Sequence, residues 1–381
     1  PPSTSPLVAA FDPIPEPLPP TVLSNGRPNL EIKFRPVYER TLSEYMELYK
    51  SLSKFRLSAF VVLSSMAGYA MCPVDPSVSQ VALEAFSQSL STTLGSAPLS
   101  KQGLLDMAAA SNSAFNSLHL STLVPMTLGV GLCASSAAAF NELVESPYDA
   151  QMARTRSRPV PRRVLTPLHA ATFGVLTGTS GIAVLSTVNP LCAALGLTTI
   201  LLYCPFYTIS KRHTIYNTWL GAVLGAIPPL IGWAACTDSI SPFTEPGAWA
   251  LFALLFFWQF PHFNSLAYTL RSSYASSGYR MLAVLDPPKN ALVALRYSLA
   301  MVPLSVMFPV LGLTNWVFPV LATVPNGLMI WANVKFWRNR TEKNAKVLFW
   351  SSLIHLPLIL GFSMVCKTGL FGSEEESQKE V

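Results

Sequence analysis

Residues 118–159 read LHLSTLVPMTLGVGLCASSAAAFNELVESPYDAQMARTRSRP. The run 118–143 is apolar or small almost throughout and carries no charge before Glu142. As a helix it is long enough to cross the roughly 30 Å hydrocarbon core of a bilayer. Arg154, Arg156, Arg158, Arg162 and Arg163 follow within fourteen residues of Asp149. An apolar run that ends in a dense basic loop is the signature of a membrane span leaving on its positive side. Runs of the same kind recur at 57–71, 165–188, 191–209, 215–236, 248–270, 291–311, 316–334 and 347–366. The expected fold is therefore an all-α integral membrane protein with about nine transmembrane helices.

Charge sorts the connections between these runs. All of the 26 Lys and Arg residues except Lys101, Lys367 and Lys379 fall before the first run or after an even-numbered one. A miscounted span would scramble that division, so the count and the positive-inside rule support each other. The composition agrees. Of 381 residues, 50% are hydrophobic and only 12% charged, and the mean hydropathy is +0.39. These values exclude a disordered chain and disfavour a purely soluble enzyme, leaving an integral membrane protein or a soluble head with several spans. The net charge of +6 sits in the loops, and no nucleic-acid partner is expected. The six cysteines form no CxxC pair and lie mostly in apolar runs, which suits buried free thiols.

Residues 1–50 read as an N-terminal arm, disordered and proline-rich over 1–28, followed by a juxtamembrane segment. Residues 51–368 form the membrane domain, with a Ser/Ala-rich insertion at 73–117 in which 80–90 suits an amphipathic helix. Residues 369–381, with Glu374, Glu375 and Glu376, read as a disordered acidic tail.

Asn141, Glu145 and Asp149 stand four apart, so on a helix their oxygens share one face. Pro147 is expected to kink or end that helix before Asp149. Two carboxylates and an amide oxygen suit Mg²⁺, a hard cation that commonly also binds substrate phosphates. The arginines behind them match phosphate geometry. Together they suggest a metal–diphosphate site. An acidic helix end followed by ordinary positive-inside arginines has the same spacing, and both readings stay open at this point. Lys211 and Arg212, and Trp258-Gln-Phe-Pro-His262-Phe-Asn264, lie near the same membrane face. The spacing of Gly221 and Gly225 suits tight helix packing.

The chain resembles the protoheme farnesyltransferases, or heme O synthases, of the UbiA superfamily. The resemblance rests on N-x-x-x-E-x-x-x-D-x-x-M-x-R-T-x-x-R-P at 141–159, Val188-Asn-Pro and Tyr207-Thr-x-x-Lys211-Arg212. It continues through Asn217-Thr-Trp-Leu-Gly-Ala-Val-Leu-Gly-Ala-Ile-Pro-Pro, the Trp258–Asn264 motif, Gly278-Tyr-Arg-Met and His355-Leu-Pro-Leu. It implies a nine-helix bundle around a central cavity. It also implies Mg²⁺-dependent transfer of a farnesyl group from farnesyl diphosphate to a vinyl group of heme B. Heme B is then a substrate, and the product is heme O, a precursor of heme A for cytochrome c oxidase. Asn141, Glu145 and Asp149 match the family's metal and catalytic positions. Arg154, Arg158, Lys211, Arg212 and Arg271 match its diphosphate-binding positions. His262, His355 and Tyr274 match candidates on the heme side. The implied setting is the mitochondrial inner membrane, with the basic loops and site toward the matrix and heme A synthase as a downstream partner.

The chain departs from that pattern at two points. Ser272 and Ser273 stand where the family's second acidic motif places Glu and Asp, and Ala138 replaces an amide. The serines imply that one metal suffices, that turnover is slow, or that the chain is a weakened heme-binding relative or assembly factor. A quinone-type polyprenyltransferase is the near alternative within the enzyme class. A secondary transporter is disfavoured because the ionisable residues gather at one membrane face rather than the midplane.

Overall fold

The computed structural model describes residues 41–72 and 120–368. The expected arm at 1–28, the insertion 73–117 with its helix at 80–90, and the tail 369–381 lie outside the described residues. Helices α1 (Leu42–Leu52), α2 (Phe55–Met71), α3 (Leu120–Asp149), α4 (Pro167–Ser186) and α5 (Pro190–Leu201) come first. A π turn over Leu202–Tyr207 joins α5 to α6 (Thr208–His213). Then follow α7 (Asn217–Thr237), α8 (Pro246–Thr269), α9 (Arg271–Ser276), α10 (Leu282–Leu285), α11 (Pro287–Val310), α12 (Val317–Arg338) and α13 (Glu342–Val365).

Proline starts several of these helices, where its missing amide hydrogen costs nothing. The residue before it supplies a cap: Thr166 Oγ1 accepts from His169 N, Asn189 Oδ1 from Cys192 N and Asp286 Oδ1 from Lys289 N, at 3.1, 2.6 and 2.9 Å. Within the segment expected as arm and juxtamembrane stretch, α1 forms behind Thr41, whose amide donates to Glu44 Oε2 at 2.9 Å.

Seven described helices, with α5 through α6 taken as one, are long and apolar enough to cross a membrane. Two of the nine expected spans fall short of that measure. Helix α2 has only 17 residues, about 25 Å of rise. Helix α8 has 24 residues, but Gln259, His262 and Asn264 interrupt its apolar run. Both pack against the bundle, α2 on α3 and α7, and α8 on α7, α11 and α13. Outward faces carry exposed large apolar side chains such as Leu128, Leu176, Val320, Val324 and Trp350. That surface requires an apolar solvent, and the protein is a multi-pass membrane protein.

Two kinds of contact hold the bundle. In the N-terminal half, small residues let backbones touch. A Cβ on Gly232 would lie 1.8 Å from the Ser65 carbonyl oxygen, and one on Gly68 would lie 2.2 Å from that of Pro229. Helices α2 and α7 thus meet backbone to backbone. Gly221 and Gly225 likewise make room for Tyr207 and Gln259, as expected of a packing motif. In the C-terminal half, polar side chains cross between helices. Asn264 and Asn290 exchange hydrogen bonds of 3.1 Å with each other's carbonyls. Asn333 Nδ2 donates to Ser298 Oγ at 2.5 Å, and Asn326 Nδ2 to Ser305 Oγ at 3.0 Å. Beyond α13, the Lys367 ammonium donates to the carbonyls of Ala70 and Cys72 at 2.8 and 2.5 Å, joining the end of α13 to the end of α2.

Pro147 does not end its helix. Helix α3 runs through it to Asp149. Proline removes one backbone hydrogen bond, and only two residues follow before the helix stops, so the final turn survives.

Candidate active site

Asn141, Glu145 and Asp149 lie on one face of the last turns of α3, and all three are buried, with exposures of 0%, 6% and 2%. A basic side chain meets each of them. Lys54 Nζ donates to Asn141 Oδ1, Lys211 Nζ to Glu145 Oε1 at 2.6 Å, and Arg158 Nη1 to Asp149 Oδ2 at 2.5 Å. These groups line a polar cavity of about 80 Å³ together with Arg154, Tyr203, Tyr207, Phe263, Tyr274 and Tyr279. A larger open groove of about 570 Å³ on the outer face of α13, lined by Lys343, Lys346 and Trp350, reaches none of them.

The local structure explains how residues so far apart in sequence converge. Pro205 cannot give an amide hydrogen to the preceding turn, and the chain widens into the π turn Leu202–Tyr207. Tyr203 and Tyr207 from that turn, and Lys211 from α6, all line the cavity. Thr208 Oγ1 donates to Tyr203 O at 2.9 Å and accepts from Asn141 Nδ2 at 3.0 Å, tying the turn to α3. Lys211 also lies 4.4 Å from the Tyr207 ring centroid. Gly278 adopts φ +74°, a left-handed conformation that lets the chain turn back after α9. Arg280 N then donates to Lys211 O at 3.0 Å, which seats Tyr279 beside the cavity. Burial raises the Tyr279 phenol above its ordinary range.

Lys54 is the candidate that sequence reasoning missed. It precedes α2 in a left-handed conformation, φ 48°, and is half-buried at the cavity. Burial first, and the Arg158 guanidinium second, push its ammonium down to about 7. In the sequence it is one more positive-inside lysine, and no spacing relates it to Asn141, 87 positions later. Tyr203, Tyr207 and Tyr279 carried no separate signal either.

Other expected residues lie elsewhere. Arg212 stacks on the Tyr148 ring at 3.9 Å and does not line the cavity. Arg271 lies over the Tyr268 ring at 4.3 Å and 3.6 Å from Glu342. Tyr274 reaches the cavity, whereas Ser272 and Ser273 do not line it. His262 stacks between Trp258 and Phe349, at 4.7 and 4.9 Å, with Nδ1 3.0 Å from Ser352 Oγ. His355 is buried, with Nε2 2.8 Å from Asn326 Oδ1 and Nδ1 lacking a hydrogen-bond partner. Neither histidine lines the polar cavity. Asp286, the carboxylate nearest the serine pair in that loop, caps α11 instead.

The donor set fits one Mg²⁺. Two carboxylates and an amide oxygen converge on one cavity, and each already faces a cationic nitrogen. Among the described residues no cluster of three or more His, Cys, Asp or Glu side chains could hold a metal ion, at this cavity or elsewhere, so the fit rests on two carboxylates and an amide oxygen.

Residues 103–354 match the UbiA prenyltransferase family. The protoheme IX farnesyltransferase, mitochondrial, of Yarrowia lipolytica is 40% identical over 352 residues, covering 87% of this chain and 65% of the relative. The enzyme of the same name in Eremothecium gossypii is 36% identical over 358 residues, covering 88% and 72%. The chain thus spans about two thirds of the length of these relatives. Among solved structures, a digeranylgeranylglyceryl phosphate synthase superimposes with a TM-score of 0.62 at 12% identity, covering 85% of this chain and 98% of that one. A UbiA homolog from Archaeoglobus fulgidus bound to GPP and Mg²⁺ gives 0.50 at 12% identity, covering 84% and 99%. At such identities the structures speak for the fold, while the family match and the relatives speak for descent. The chain belongs to the UbiA prenyltransferase family.

Proposed function

We infer that this protein transfers the farnesyl group of farnesyl diphosphate to a vinyl group of heme B, with addition of water, releasing diphosphate and heme O. The observation that carries the reading is the cavity in which Asn141, Glu145 and Asp149 face Lys54, Lys211 and Arg158. The named activity of relatives that are 36–40% identical supplies the substrates.

Glu145, Asp149 and the amide oxygen of Asn141 would hold Mg²⁺, which when bound neutralises charge on the departing diphosphate. The rest of the chemistry belongs to the chain. Arg158, Lys211 and Lys54 release their present oxygen partners and turn their N–H groups to phosphate oxygens, and Arg154 adds a further guanidinium. These donors already line the cavity, so once substrate entry has freed them they meet the leaving group without being recruited from elsewhere. Tyr203, Tyr207 and Phe263 wall the cavity and keep water from the allylic cation until the vinyl carbon captures it. Three polar contacts span the cavity, so substrate entry has to break them, and the cavity is small without substrate. The relatives' designation supports a mitochondrial setting; the inner membrane, basic loops toward the matrix and heme A synthase as recipient of the product complete the proposal.

The serines at 272 and 273 favour one alternative, a heme-binding relative with weak or no turnover. One experiment separates the two. The protein in lipid nanodiscs receives heme B and farnesyl diphosphate, with and without Mg²⁺, and mass spectrometry follows heme O. Mg²⁺-dependent product is expected. Bound heme without product, beside an active relative as control, would overturn the enzyme reading.

A further inference from the structure

The loop that carries Arg154 and Arg158 contains the run Arg158-Pro159-Val160-Pro161. Neither proline has an amide hydrogen, so Val160 N–H is the sole backbone donor of this Pro-Val-Pro turn. It is spent on a side chain: Glu142 Oε1 accepts it at 3.0 Å. Glu142 is fully buried, and its Oε2 has no hydrogen-bond partner. Val160 is buried as well, packed with Leu52, Ala139, Leu165 and Ala170. A carboxylate hidden from water with one oxygen unpartnered is costly. Glu142 does not line the cavity, so neither substrate nor metal accounts for it.

Besides the Thr155 hydroxyl, which donates to the Asp149 carbonyl at 3.1 Å, two carboxylates pin the loop to α3 at points seven residues apart, about 10 Å along the helix. At one, Asp149 holds the Arg158 guanidinium; at the other, Glu142 holds the Val160 amide two residues later. The two pins differ in what happens during the reaction. Under the function proposed above, Asp149 exchanges Arg158 for the metal, and that pin opens. The Glu142 pin does not depend on the ligand.

We propose that Glu142 is a positioning residue: its carboxylate anchors the Pro-Val-Pro turn so that Arg158 stays within reach of the diphosphate once Asp149 lets go. The inference rests on the diphosphate reading for its consequence but not for the anchor itself, and its test separates the two.

The loop's own arginines supply the probe, because trypsin cuts after Arg154, Arg156, Arg162 and Arg163 once the segment opens. The full chain in nanodiscs is compared as wild type, Glu142→Ala, Glu142→Met and Glu142→Gln. Methionine keeps most of the volume and removes the acceptor; glutamine keeps an acceptor for Val160 N–H. Losing a hydrogen bond to a charged group should raise cleavage about tenfold in the Ala and Met variants, with the Gln variant near wild type. The same variants should bind Mg²⁺-pyrophosphate about tenfold more weakly. Their KM for farnesyl diphosphate should rise with kcat changed less, and glutamine should rescue both. Equal trypsin rates in wild type and the Met variant, both folded by circular dichroism, would overturn the anchor. Faster cleavage with unaltered pyrophosphate affinity would uphold the anchor and overturn its link to Arg158 and the diphosphate.

Discussion

Replacing Asp149 by Asn removes one negative charge and almost no volume. Asp149 is 2% exposed, and its Oδ2 lies 2.5 Å from Arg158 Nη1. Breaking a fully buried ion pair costs about 3–5 kcal/mol. The Arg158 side chain is 20% exposed, so water recovers part of that, and a loss of about 2 kcal/mol is expected. The asparagine oxygen remains a weak acceptor for the guanidinium. Turnover should suffer more than stability. Losing a single preorganised donor at a developing charge typically costs 10²–10³ in rate. Here one of only two carboxylates available to the metal is lost, so heme O formation should fall about 1000-fold, equivalent to about 4 kcal/mol. The assay is heme O by mass spectrometry at saturating farnesyl diphosphate and Mg²⁺, alongside thermal unfolding in the same nanodiscs. A second variant separates the roles: adding Arg158→Met to Asp149→Asn removes the orphaned charge and should restore most of the stability without restoring turnover. Turnover of the single variant within about threefold of wild type would refute the metal assignment. Recovery of turnover in the double variant would reduce Asp149 to an ion-pair partner.

Arg158→Ala should raise KM for farnesyl diphosphate by about tenfold or more while kcat changes less; unchanged dependence on that substrate would count against its placement. Ser273→Asp should increase the rate at low Mg²⁺ if α9 approaches the site when substrate is bound, and no gain at any Mg²⁺ concentration would show that the serine pair lies outside the reaction. Gly232→Ala puts a methyl 1.8 Å from the Ser65 carbonyl oxygen. Backbone must move to admit it, at a cost of about 1–3 kcal/mol, read as a lowered Tm; an unshifted Tm would mean that α2 separates freely from α7.

What the sequence disclosed followed physical range. Local periodicities carried the helices and the sorting of basic loops, because a span must satisfy its own backbone within one segment. The four-residue spacing of Asn141, Glu145 and Asp149 carried the acidic face for the same reason. Hydropathy alone understates α8, whose Gln259, His262 and Asn264 lower its apolar count but face protein partners rather than lipid. The steric rule for Pro147 overstated the break, since a proline near the end of a helix has little helix left to disrupt. The basic half of the site stayed hidden where it depends on tertiary approach. Lys54, just before α2, reaches Asn141 on α3 across the packing of those two helices, and a lysine at a span boundary looks the same whether or not it turns inward. Arg271 and Arg212 show the converse: basic residues in a matching motif that spend their charge on aromatic rings and Glu342.

The π turn at Leu202–Tyr207 sits in the middle of one continuous stripe. Before it, Cys192, Gly196 and Ile200 face the bundle; within it, Tyr203 and Tyr207 line the cavity, and Lys211 follows from α6. Each residue of an α-helix rotates the chain by about 100°, so spacings of four, four, three, four and four keep all six on one side of the span. The same stripe therefore seats the span along its first half and lines the cavity along its second. A substitution that unseats Ile200 from the bundle would turn Lys211 away from Glu145 as well.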